Sequence, residues 1–328
     1  MTSERKLLTV DDIHGCWAII PTPTKPNGSD LNATDTVDLE ETARVIEGMI
    51  AAGVDGILSL GTLGECGALS WEEKSAFIST MVKTAAGRVP IFVGTTTLST
   101  RETIRQTRAA YDLGADGTMV GPPMWNKPDV GMAVQFFKDL AEAVPEMAIC
   151  VYANPFVFKF DFPPPFWAGV ADIPQVIMAK TATHGTYLRD SGAAKGKVRI
   201  MPMDAEFTPA ARMAPETATA FWSSSASCGP APAVALRDIV AEAKKTHDWS
   251  KAWELTGKMT QAVLPIICYG DMVAFQENNV ALEKLRFNVA GWMNAGPIRP
   301  PHHVVPDKIK EFARLGGEAW AALQKEYS

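Results

Sequence analysis

Two residues of this chain have the types and placement to do carbonyl chemistry, Lys180 and Tyr152. Lys180 ends the apolar run Val176-Ile177-Met178-Ala179, which reads as a buried strand. Burying an ammonium is costly, and the usual relief is loss of its proton. A neutral lysine amine is a nucleophile toward carbonyl carbon. An earlier apolar run, Ala148-Ile149-Cys150-Val151, ends in Tyr152. Neighbouring strands that deliver a phenol and an amine to one rim have the layout of a Schiff-base enzyme. Taken alone, Lys180 also fits a lysine that snorkels out of a strand end.

The elements that must position these residues follow an alternating pattern. Short apolar runs at 16–20, 56–60, 91–94, 118–121, 148–152, 176–180, 198–201 and 220–223 read as eight strands. Amphipathic stretches at 38–52, 71–86, 100–113 and 130–143 read as helices between them. Alternating β and α implies a parallel sheet, and eight units fit a (β/α)8 TIM barrel. Gly53-Val54-Asp55-Gly56 and Gly114-Ala115-Asp116-Gly117 are near-copies, each ending a helix on glycine before a strand. Ser70-Trp71-Glu72-Glu73 is a capping box, and Ser99 or Thr100 caps the next helix. Between strands six and eight the helical period is diluted by Gly, Ala and Thr. Past residue 230 the strands stop, and 233–245, 249–267, 272–293 and 306–325 read as helices. The expected organisation is a catalytic barrel over 1–245 and a C-terminal helical bundle over 246–328 packed on it. A doubly wound sheet would show a glycine-rich loop after strand one, where this chain has Pro21-Thr22-Pro23-Thr24.

Active sites of such barrels sit at the C-terminal strand ends. Strand two ends in Gly61-Thr62-Leu63-Gly64-Glu65, whose free N–H groups and hydroxyl suit a carboxylate. Strand four runs into Pro122-Pro123-Met124-Trp125, and strand five into Tyr152-Ala153-Asn154-Pro155. His184 follows Lys180 closely and is a candidate for substrate contact or a solvated loop residue. The histidines and the five scattered cysteines lack metal-ligand spacing and no CxxC occurs, so neither a metal, a cofactor nor a disulfide framework is expected. A net charge of −6 without a basic block argues against nucleic acid and anionic membranes as partners. No window reaches the roughly 18 apolar residues of a membrane span. The opening residues carry no signal-peptide stretch, and a cytoplasmic location is expected.

Gly61-Thr62-Leu63-Gly64-Glu65, then Tyr152-x-Asn154-Pro155, then a lone strand-end Lys180 resembles the N-acetylneuraminate lyase / dihydrodipicolinate synthase superfamily. The segments Trp17-Ala18-Ile19-Ile20-Pro21-Thr22-Pro23, Pro123-Met124-Trp125, Tyr152-Ala153-Asn154-Pro155 with Phe158-Lys159-Phe160-Asp161-Phe162, and Phe221-Trp222-Ser223-Ser224 resemble one subgroup more closely. That subgroup is the trans-o-hydroxybenzylidenepyruvate type of hydratase-aldolase, from polycyclic aromatic hydrocarbon degradation. Leu63 stands where the superfamily often has threonine, and Trp125 where it often has tyrosine. Val157 replaces the arginine with which the synthases hold a second carboxylate.

The resemblance implies cleavage of an aryl-substituted α-keto acid to an aromatic aldehyde and pyruvate. In that reading Lys180 forms the imine, Tyr152 relays protons and Asn154 orients the water or the C4 hydroxyl. Thr62 and Leu63 hold the carboxylate, Trp125 is a flat wall for the ring, and Asn278 is a further substrate contact. A homotetramer is implied as well. A sugar-acid aldolase, a dihydrodipicolinate synthase-like enzyme and a catalytically silent barrel are the competing readings.

Overall fold

The glycines of the two near-copy junctions explain how the bottom of the molecule is filled. A Cβ on Gly56 would lie 2.5 Å from the Trp17 ring, and one on Gly117 would lie 2.1 Å from Phe92. Trp17 and Phe92 therefore meet edge to face at 5.4 Å and close one end of the interior. The aspartates beside these glycines do matching work. Asp55 accepts from the Cys16 N–H at 2.7 Å, and Asp116 from the Ile91 N–H at 2.9 Å. Each satisfies a strand-entry donor that would otherwise be buried unpaired.

The structure is a computed structural model and describes residues 6–182 and 185–328. Its strands are β1 (Gly15–Ile19), β2 (Gly56–Ser59), β3 (Ile91–Gly94), β4 (Gly117–Val120), β5 (Ala148–Ala153), β6 (Val176–Thr181), β7 (Arg199–Met201) and β8 (Ala220–Ser223). All neighbours are parallel, in the order β7-β6-β5-β4-β3-β2-β1-β8. β7 is short because Pro202 has no N–H to extend the ladder. Closure between β7 and β8 rests on one bridge, Met203 to Trp222, with the Trp222 N–H donating to the Pro202 carbonyl at 3.1 Å. The result is a nearly closed (β/α)8 barrel with helices in the connections between its strands, as the alternation implies.

The connecting helices are α1 (Leu39–Ala52), α2 (Trp71–Ala85), α3 (Thr100–Asp112), α4 (Val130–Ala143), α5 (Pro155–Phe158), α6 (Pro164–Val170), α7 (Tyr187–Ala193), α8 (Asp204–Met213) and α9 (Ala231–Thr246). The Ser70–Glu73 capping box forms, with both reciprocal bonds present. α5, α6, α7 and α8 have no counterpart among the expected helices. The first three run for four, seven and seven residues, too short to show a period, and Pro209 sits inside the fourth.

Three more helices follow: α10 (Ser250–Val263), α11 (Met272–Ala290) and α12 (Asp307–Tyr327). They are bonded into the barrel. Trp320 is fully buried and its indole N–H donates to the Gly229 carbonyl at 2.9 Å. Leu255 and Met259 join the same core as the barrel strands. α10 stops earlier than the sequence reading has it, because Pro265 follows and Cys268 and Tyr269 take left-handed backbone angles. α11 ends on Gly291 at φ 73°.

Candidate active site

One extra residue in β6, Ile177, creates the site. Ile149 pairs with Val176, but Cys150 pairs with Met178, and so Tyr152 stands opposite Lys180. With uninterrupted register Tyr152 would face Ala179 and project to the other side from Lys180. Both side chains instead enter the barrel mouth, each 6% exposed. The Lys180 Nζ lies 3.8 Å from the centre of the Trp222 ring and 4.6 Å from that of Tyr152. Trp222 is oriented by its indole N–H, which donates to the Thr181 carbonyl at 2.9 Å. Tyr152 is oriented by Phe158, stacked edge-on at 5.4 Å. Phe158 fits there because Gly121 has no side chain; a Cβ would come within 2.3 Å of its ring.

The phenol of Tyr152 shares a 2.9 Å hydrogen bond with the Thr62 hydroxyl. The Asn154 amide nitrogen donates to the same phenol at 3.4 Å. Asn154 also caps α5, its Oδ1 accepting from the N–H groups of Phe156 and Val157 at 3.2 and 3.3 Å. That capping duty leaves only the NH₂ end for the cavity. Asn154 therefore acts there as a donor.

Thr62 and Leu63 form the turn after β2, and among the described residues their N–H groups carry no hydrogen-bond partner. Glu65 anchors this turn. Its carboxylate is buried and accepts from the Lys284 ammonium of α11 and from the Arg299 N–H, each at 2.8 Å. The Arg299 guanidinium also reaches it. Lys284 further donates to the Pro297 carbonyl at 2.9 Å and to the Thr24 hydroxyl. Burial pushes the Lys284 ammonium down to about 8, against the pull of Glu65. Glu65→Ala would leave two cations buried without a counter-charge. It is expected to lower unfolding free energy by about 3–5 kcal/mol, read from the urea midpoint. An unchanged midpoint would show that the turn needs no anchor.

These residues open into a cavity of about 230 Å³. Thr62, Leu63, Tyr152 and Lys180 line its inner end. Phe156, Val157, Ile266, Ile267, Met272 and Phe275 give it an apolar wall, and Ser224, Gln276, Asn279, Glu283 and Arg286 a polar one. Five of the seven residues expected at the site therefore meet in one cavity.

The other two do not. Trp125 is 75% exposed and lies in a surface groove with Leu98, Pro122 and Met132. Within the chain the apolar lining of the cavity comes instead from α5, α11 and the α10–α11 connection. Asn278 is turned off the cavity, and its amide donates to the Ala274 carbonyl at 2.9 Å. On a helix each residue rotates about 100°, and the face seen by the cavity passes through Met272, Phe275, Asn279, Glu283 and Arg286. His184 lies outside the described residues.

Three features escaped the sequence reading: the Trp222 ring beside the amine, the anchoring role of Glu65, and the Glu283–Arg286 pair. The stripe at 272, 275, 279, 283 and 286 is a helical period that could have found the last. Among the described residues no cluster of three His, Cys, Asp or Glu side chains could hold a metal ion, and no helix is long and apolar enough to cross a membrane.

The chain is similar to known proteins over nearly its whole length. The model of the dihydrodipicolinate synthetase family matches residues 25–197. A trans-O-hydroxybenzylidenepyruvate hydratase-aldolase of Sphingobium xenophagum is 54% identical over 321 residues, covering 98% of each chain. A trans-2'-carboxybenzalpyruvate hydratase-aldolase of Nocardioides sp. (strain KP7) is 36% identical over 324 residues, 98% of this chain and 96% of the other. The solved structure of PhdJ bound to a substrate intermediate superposes with a TM-score of 0.96 at 39% identity, over 99% of this chain and 100% of that one. By family match, by full-length relatives and by fold, this chain belongs to the dihydrodipicolinate synthetase family.

Proposed function

We propose that this protein is a hydratase-aldolase that cleaves an aryl-substituted 2-oxobut-3-enoate to an aromatic aldehyde and pyruvate through a Schiff base on Lys180. The observation that carries the reading is the amine–phenol pair in a cavity with one apolar wall. The full-length relatives bear the matching activity in their names.

Lys180 attacks the C2 ketone, and loss of water from the carbinolamine gives a protonated imine. The ring faces of Trp222 and Tyr152 stand where that positive charge forms, and a cation over an aromatic face is stabilised by about 0.5–2 kcal/mol. The substrate carboxylate sits on the Thr62 hydroxyl and the N–H groups of Thr62 and Leu63. Water adds at C4 of the conjugated imine and loses a proton, and the resulting enamine takes up a proton at C3, which restores the cationic imine. Removal of the C4 hydroxyl proton then breaks the C3–C4 bond, with the electron pair moving into the imine as an enamine. The aldehyde leaves, C3 takes up a proton, and hydrolysis frees pyruvate and Lys180. Tyr152 relays protons in both halves, with Thr62 and Asn154 holding its hydroxyl in place. Val157 leaves an acidic semialdehyde without a cation at that position, and Phe156, Met272 and Phe275 suit a flat ring better than a sugar acid. The same reading makes the protein a cytoplasmic homotetramer. The family resemblance supports the assembly, and a 35.4 kDa particle in light scattering would count against it.

Aldehyde release from a panel of benzylidenepyruvates tests the activity. Turnover of the panel, with pyruvate formed in equal amount, is the expected result. Turnover of aspartate semialdehyde or a sugar acid in its place would assign a different aldolase.

A further inference from the structure

We infer that Glu283 is the hydrogen-bond acceptor that recognises a hydroxyl on the substrate's aryl ring, and that it disfavours a carboxylate at the same place. The inference rests on the aryl-substrate reading above and goes one step further, to the group that selects among such substrates.

Glu283 and Arg286 lie one turn apart on α11, face the cavity, and are 4% and 1% exposed. The hydrogen bonds within the pair are lopsided. Arg286 Nε and Nη2 both donate to Glu283 Oε2, at 2.9 and 2.6 Å. Nη1 donates to the Ser225 hydroxyl at 3.0 Å, and Nη2 also to the Ser224 hydroxyl at 2.9 Å. Four of the five donors of the guanidinium are thus engaged within the protein. Little of Arg286 is left for a ligand.

The carboxylate has the spare capacity. Glu283 Oε1 has a single long contact, 3.5 Å from the Ser224 hydroxyl. A carboxylate oxygen can accept two hydrogen bonds, and leaving a buried one under-used is costly. Glu283 is also the one carboxylate among the described residues that line the cavity. Met272 and Phe275, on the same face of α11, belong to the apolar wall that would hold the ring. A ring hydroxyl supplies the missing donor. A methoxy group has similar electronic character and no donor. A ring carboxylate sets anion against anion in a site that water leaves when substrate enters.

The test compares kcat/KM for 2-hydroxy-, 2-methoxy- and 2-carboxybenzylidenepyruvate in the wild-type protein and in Glu283→Gln, which keeps the side-chain shape and an oxygen for Arg286. The wild type should favour hydroxy over methoxy by about 10- to 100-fold, the range for a hydrogen bond to a charged acceptor. In Glu283→Gln that preference should shrink toward parity, and the carboxy substrate should gain on the methoxy one by about tenfold. Ratios between substrates are read within each protein, so a general loss of folding or activity cancels. An equal fall on all three substrates overturns the inference and makes Glu283 a proton carrier or a structural ion, leaving the aryl reading in place. A wild type that does not separate hydroxy from methoxy overturns it even if the variant fails to fold. No aldehyde from any of the three overturns the aryl-substrate reading itself, and the inference with it.

Discussion

Lys180→Ala is expected to lose aldehyde release and the reverse condensation together, by a factor on the order of 10⁵ to 10⁶, as when other covalent nucleophiles are removed. The size follows from the role of the imine. Breaking the C3–C4 bond delivers an electron pair to C3, and only a cationic imine at C2 can take it up. Without the amine the pair would have to go to a neutral ketone inside an apolar cavity. Incubation with pyruvate and borohydride, followed by peptide mapping, should place the label on residue 180 and nowhere else. Lys284 is the instructive control, because it too is fully buried. Its Nζ is committed to Glu65, Thr24 and the Pro297 carbonyl, and it does not line the cavity. A label on Lys284, or no label at all, would remove the Schiff-base assignment.

Tyr152→Phe is expected to lower kcat by about 10²–10⁴-fold, the range for a positioned acid–base group. The ring would keep its place against Phe158, so packing should survive. What disappears is the hydroxyl that joins Thr62 and Asn154. Imine formation with pyruvate should slow as well, since carbinolamine collapse needs the same proton. Thr62→Val is the informative companion. It breaks the same 2.9 Å bond but also removes a donor to the substrate carboxylate, so KM should rise along with the fall in kcat. If Tyr152→Phe costs less than about tenfold, the phenol is a packing group and protons move by another route.

The reach of the sequence follows from the range of the interactions involved. The eight strands and first four helices were legible because their periods are local and their caps lie within a few residues. The shared placement of Lys180, Tyr152, Thr62, Leu63 and Asn154 was legible for the same reason. Each ends a strand or lies just beyond one, and barrel strands all end at one rim. The short α6 and α7 carried too few turns to show a period, and Pro209 disguised α8.

The rest belonged to the tertiary structure. The extra residue in β6 decides whether Lys180 faces the same side as Tyr152, and no composition marks it. Rotation of α11 about its axis selects Asn279 and Glu283 for the cavity and turns Asn278 away, a difference of one residue that only packing against the barrel can set. Trp125 follows two prolines at a strand end, as a site residue would, yet its loop leads the indole outward. Glu65 finds its partners Lys284 and Arg299 more than two hundred positions away along the chain. A sequence states which side chains can do chemistry at a strand end; which of them share a cavity is a matter of register, helix rotation and long-range ion pairing, and those are settled only when the chain closes on itself.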